Sequence, residues 1–76
     1  MEQFIANIAK SLVDNPDAVS INTIRGHQVS VLELKVAKED LGKIIGKKGR
    51  TAGAMRTLLS ALSAKLKNPS VLEIVE

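Results

Sequence analysis

The spacing of apolar positions along this chain changes from helical to alternating and back, and the changes divide it into six elements. Ile5, Ile8, Ala9 and Leu12 recur on one helical face, flanked by Phe4 and Val13, which predicts a helix over 2–14. Asn15-Pro16-Asp17 ends it, because proline cannot continue a helix and pushes the preceding residue towards extended backbone. Val19 and Ile21 then alternate with polar neighbours and predict a strand over 18–25. Ile24 falls on the opposite parity, which calls for a twist or bulge near Thr23. Gly26-His27-Gln28 reads as a turn. Over 29–36, Ser30, Leu32, Leu34 and Val36 share one face while Val29, Val31, Glu33 and Lys35 share the other, which predicts a second strand closing an antiparallel hairpin.

The helical period then returns. Glu39 and Asp40 open a short helix over 39–45, where negative charge suits the helix dipole, and Leu41, Ile44 and Ile45 give it an apolar side. Gly46-Lys47-Lys48-Gly49 breaks the pattern as a turn. A long helix follows over 50–67 with a stripe at Ala52, Met55, Leu59, Leu62 and Leu66, and Asn68-Pro69 stops it. Val71 to Val75, rich in β-branched residues, reads as a final strand. The order α-β-β-α-α-β predicts an α+β domain, a three-stranded sheet covered on one face by three helices. If the last strand runs parallel to the second, its crossover should be right-handed. The 76 residues make one domain, 1–76, and a chain this short buries only about 60% of its unfolded surface.

Charge changes the picture. No Asp or Glu occurs over 41–72, whereas Lys43, Lys47, Lys48, Arg50, Arg56, Lys65 and Lys67 do. The other residues carry four basic and eight acidic side chains, so the chain is electrically polarised around the glycine turn. Two glycines three apart suit a tight connection that lies flat against a ligand, and the residues between them are both lysine. That is the footprint of phosphate binding.

Other chemistry finds few candidates. Cys is absent and His27 stands alone in a turn, so no disulfide, thiolate metal site or nucleophile–base pair can be assembled, and no cofactor or metal is expected. Asp14 with Asp17, and Glu39 with Asp40, read as helix-end and turn residues rather than catalytic pairs. A nucleotide-binding loop needs four residues between its glycines and a Ser or Thr after its lysine, and Gly42 to Gly46 offers neither. A binding protein rather than an enzyme is expected. No apolar run reaches the length of a membrane span and the N-terminus lacks the basic-then-apolar order of a secretion signal, so membrane insertion is not expected and a cytoplasmic location is. Phe4 is the single aromatic residue, so base stacking, which can contribute about 1–3 kcal/mol per base, is not open to the basic stretch. One such domain should bind weakly.

The long helix carries a second apolar face at Ala54, Leu58 and Ala61, interleaved with small residues. A helix apolar over much of its circumference is usually covered on more than one side, which makes this face a candidate for self- or hetero-association.

Leu41-Gly42-Lys43-Ile44-Ile45-Gly46-Lys47-Lys48-Gly49-Arg50-Thr51 resembles the signature of a KH domain, and the element order resembles the type II, bacterial arrangement. Length and flanks together resemble the small stand-alone KH proteins of the KhpA type. The resemblance implies that Gly46, Lys47, Lys48 and Gly49 hold the phosphates of about four nucleotides of single-stranded RNA, or of single-stranded DNA. It implies that Ile45 and Val36 wall an apolar groove for bases, flanked by Lys43, Arg50 and Thr51. Many KH domains carry a large aliphatic residue where this chain has Ala52, which makes the groove floor shallower. The resemblance further implies a homodimer, or a complex with a larger KH protein of the KhpB (Jag/EloR) type, linked to RNA chaperoning, cell elongation and peptidoglycan homeostasis. The alternative is a KH-shaped dimerisation scaffold whose partner supplies most nucleic-acid contacts.

Overall fold

A computed structural model describes residues 2–76. The six expected elements are present, joined by three short 3₁₀ turns. Helix α1 spans Glu2–Leu12, strand β1 Ser20–Arg25, strand β2 Ser30–Lys35, helix α2 Leu41–Ile45, helix α3 Arg50–Leu66 and strand β3 Ser70–Val75. Strand order is β1-β2-β3, with β2 antiparallel to β1 and parallel to β3. The parallel pairing requires the α2–α3 crossover between β2 and β3, as the sequence order anticipates.

One face of the sheet is covered. Ser30, Leu32, Leu34 and Val36 all turn to that face and are buried, and Leu72 joins Leu32 across the parallel ladder. Ile5 and Ala9 of α1, Ile44 of α2, and Met55 and Leu59 of α3 complete a single core, so every helix has a stake in it. The thin dimension of the domain, 16 Å, is one helix layer over one sheet. Among the described residues no helix is long and apolar enough to cross a membrane.

Four expectations need correcting. Strand β1 has no bulge: its register with β2 runs unbroken from Ser20↔Lys35 to Arg25↔Ser30, and Ile24 lies on the uncovered face. The buried stripe of α3 ends at Ser63 rather than Leu66, which is exposed because the helix overruns the sheet beneath it. The short helix over 39–45 is really a 3₁₀ turn, Lys38–Asp40, followed by α2. Likewise α1 stops at Leu12, two residues early, with Leu12 exposed.

Asp40 explains how α1 is tied down. Its side chain is buried, and its two carboxylate oxygens accept the backbone N–H groups of Asp14 (3.2 Å) and Asn15 (3.0 Å). The residue thus clasps the chain leaving α1 to the start of α2. Burial by itself would raise the Asp40 pKa, but the two backbone donors and nearby Lys43 outweigh it and hold the carboxyl below its ordinary value.

Candidate nucleic-acid interface

The glycine turn is shaped by backbone that most residues avoid. Helix α2 ends where Gly46 takes φ +79° and ψ +170°, a region essentially restricted to glycine. Space forbids a side chain there too: an added Cβ would lie 2.7 Å from Thr51 Cβ and 2.8 Å from its backbone nitrogen. Thr51 therefore packs over Gly46, and it is half-buried. Gly49 is left-handed at φ +73°, and the Gly49 N–H donates to the Gly46 carbonyl at 3.1 Å, closing the turn. Between them Lys48 is also left-handed, at φ +57°, a conformation costing a non-glycine residue about 1–2 kcal/mol. Three of the four turn residues thus have positive φ, and the strain falls on a lysine whose side chain is exposed.

Helix α3 starts at the end of this turn. No side chain caps it and no acidic residue sits in its first turn. The positive end of a 17-residue helix consequently opens beside exposed Lys47, Lys48 and Arg50. Backbone N–H groups, dipole and cations converge there, an arrangement that suits a phosphate oxygen.

The remaining site candidates fall in different places. Ile45 is exposed on the α2 side of the turn. Lys43 is drawn the other way: it forms an ion pair with Asp14 and lies 3.7 Å from Asp40. The hydrogen bond to Asp14 raises the Lys43 pKa, against the opposing effect of burial. Val36 is 3% exposed and belongs to the core, so it backs the structure without presenting a wall to a ligand.

A groove does exist, and it lies between α3 and β3. Arg56, Leu59, Ser60, Ser70, Val71 and Leu72 line a hollow of about 350 Å³. It adjoins a second of about 520 Å³ that runs past Ala64 and Lys67 to Val29. Arg56 stands seven residues beyond Gly49, about 10 Å along the helix, so the hollow follows on from the turn. The sequence held a signal for this wall. Successive helical residues point 100° apart, so Ser60 and Leu58 occupy opposite flanks of buried Leu59. The small polar flank faces β3. The apolar flank, Ala54, Leu58 and Ala61, is exposed elsewhere, with Leu58 44% accessible.

Comparison with known proteins agrees with this architecture. The family model described as "KhpA/KhpB, KH domain" matches residues 2–74. A protein of Caldanaerobacter subterraneus subsp. tengcongensis named RNA-binding protein KhpA is 55% identical over 75 residues, covering 99% of this chain and all of that one. The protein of the same name from Borreliella burgdorferi is 49% identical over 74 residues, covering 97% of this chain and 90% of that one. Among solved structures, Aquifex aeolicus Era bound to GDP and aluminium fluoride matches with a TM-score of 0.63 at 21% identity. Era in complex with MgGDPNP and nucleotides 1506–1542 of 16S ribosomal RNA matches with a TM-score of 0.59 at 22% identity. In each case 96% of this chain is covered but only 28% of Era, so the likeness is one of fold.

Proposed function

The chain belongs to the KhpA/KhpB KH-domain family, and from that premise we propose that it binds single-stranded RNA through the turn from Gly46 to Gly49. The observation that carries the proposal is the exposed Lys47-Lys48 pair, set between two glycines of positive φ with Lys48 itself left-handed, at the uncapped start of α3. Gly46 and Gly49 let a sugar-phosphate strand approach, the two lysines with Arg50 neutralise it, and bases turn into the groove between α3 and β3. Ile45 flanks the entrance and Thr51 braces Gly46. Lys43 serves by fixing α2 rather than by meeting phosphate. The names of the relatives support RNA as the ligand and a binding rather than a catalytic role.

The test is Lys47→Asp with Lys48→Asp, checked for an unchanged circular dichroism spectrum and then for crosslinking to RNA. Loss of crosslinking in a folded variant supports the reading, and unchanged crosslinking refutes it. A phosphate clamp does not read the 2′-hydroxyl, so competition between matched RNA and DNA oligomers decides which is preferred.

A second reading adds to the first. Ala54, Leu58 and Ala61 form an exposed apolar flank of α3 on the side away from the groove, which suits a homodimer or a heterocomplex with a KhpB-type KH protein. Through such a complex the protein would act as an RNA chaperone and post-transcriptional regulator in the cytoplasm, with the links to cell elongation and the cell wall that family resemblance implies. Leu58→Asp should shift sedimentation from dimer to monomer. If wild type is already monomeric at tens of micromolar, a range of about 6 kcal/mol in binding free energy, the homodimer is excluded.

A further inference from the structure

The sheet has two faces, and the face away from the helices carries a pattern of its own. Ile24 pairs with Val31 and Val31 with Val71, so one apolar side chain from each strand lines up in a row across it. Ile24 and Val71 at the ends of this row are 49% and 50% exposed. High β-propensity favours such residues in strands but does not require them to align on solvent. One row along the same face, Glu33 of β2 stands directly beside Glu73 of β3. Like charges in that position repel. Lys35 follows on the same face of β2, yet the ion pairs among the described residues all belong to Lys43, and neither glutamate has a partner.

An apolar row beside two unanswered carboxylates selects its ligand by charge. Nucleic acid is repelled, and the acid-free stretch over 41–72 meets it elsewhere. A second copy docking by the same face would bring two more glutamates and only Lys35 to answer them. We propose that this face docks a basic amphipathic segment of another protein. Its apolar side chains sit on Ile24, Val31 and Val71, and a lysine or arginine bridges Glu33 and Glu73. The surface lies apart from the RNA turn and meets the groove only along β3, where Val71 borders both.

The experiment titrates the isotope-labelled chain with three probes and follows backbone amide shifts by NMR. The probes are a short amphipathic leucine–lysine peptide, its leucine–glutamate counterpart and single-stranded oligouridine. The lysine peptide should move amides over 20–25, 30–35 and 70–75. Its affinity should fall by about tenfold or more in the Glu33→Lys/Glu73→Lys variant, in line with the cost of breaking interfacial charge pairs. Ile24→Asn should weaken it as well, and all variants should keep the wild-type shifts around Gly46 with oligouridine. The proposal is overturned if the lysine and glutamate peptides bind alike, or if the double variant binds the lysine peptide unchanged. It also fails if no probe moves these amides, if oligouridine moves those over 20–25 and 30–35, which lie away from the groove, or if they shift with the concentration of the chain alone.

Discussion

Gly46 and Gly49 share a motif but not a physical burden. A Cβ at Gly46 meets both a forbidden backbone region and the body of Thr51, whereas a Cβ at Gly49 meets nothing within 4 Å. Gly46→Ala should therefore cost about 2–4 kcal/mol, backbone strain plus a displaced Thr51. Gly49→Ala should cost only about 1–2 kcal/mol, the left-handed penalty alone. Urea denaturation of the two variants checks the order. Asp40 makes a different prediction, on pH. Its folded pKa lies below the unfolded value, so the stability it contributes is present above the ordinary carboxylate range and is lost as pH falls through the folded value. Lys43 has the opposite sign: its contribution holds at neutral pH and is lost only as pH rises through its raised value. Asp40→Asn should lower the melting temperature at pH 7 and flatten the acid limb of the stability curve, as thermal melts across pH would show. Both glycines were legible as a turn from their spacing. The Asp40 clasp was not, because its partners are backbone groups 25 and 26 residues away and local sequence carries no mark of them.

At the scale of the element, α3 separates periodicity from burial. Its stripe of Ala52, Met55, Leu59 and Leu62 reads correctly from spacing, but Leu66 continues the period past the end of its support. Leu59→Ala should cost about 2–5 kcal/mol, and Leu66→Ala less than about 1 kcal/mol, in paired chemical denaturation curves. The helix ends with Lys67 at φ +56°, where the Asn68 N–H donates to the Ser63 carbonyl and the Lys67 N–H to that of Ala64. Glycine usually holds that place. Ile24 carries the same lesson for strands. Its parity calls for a bulge only if every apolar residue of β1 must face the core, whereas a sheet with one uncovered face can place it outside. The groove beside α3 is half legible: the small polar flank of the helix marks one wall, but the other is β3, brought alongside by a crossover that no local pattern locates.

Across the whole molecule, charge is sorted by place as well as by position in the chain. The turn and groove bring together Lys47, Lys48, Arg50 and Arg56, while Glu33 and Glu73 stand on the sheet's far face. If those four cations each neutralise one phosphate, log affinity should fall against log salt with a slope of about −3, from roughly −0.7 per phosphate on a single strand. Lys47→Ala with Lys48→Ala should reduce the slope to about half that, a change that fluorescence anisotropy across salt concentrations resolves. The polarity of the chain was visible in its sequence, and the placing of the turn cations and of Glu33 with Glu73 on different faces required the fold. The parallel ladder also has a kinetic meaning. Arg25 and Ser30 close the hairpin across five positions, but Ser30 reaches Ser70 across forty, an entropic handicap of about 2 kcal/mol for β3. A transition state that lacks this strand has no groove to offer, so a bound oligonucleotide should act as a brake on unfolding while leaving the refolding rate untouched.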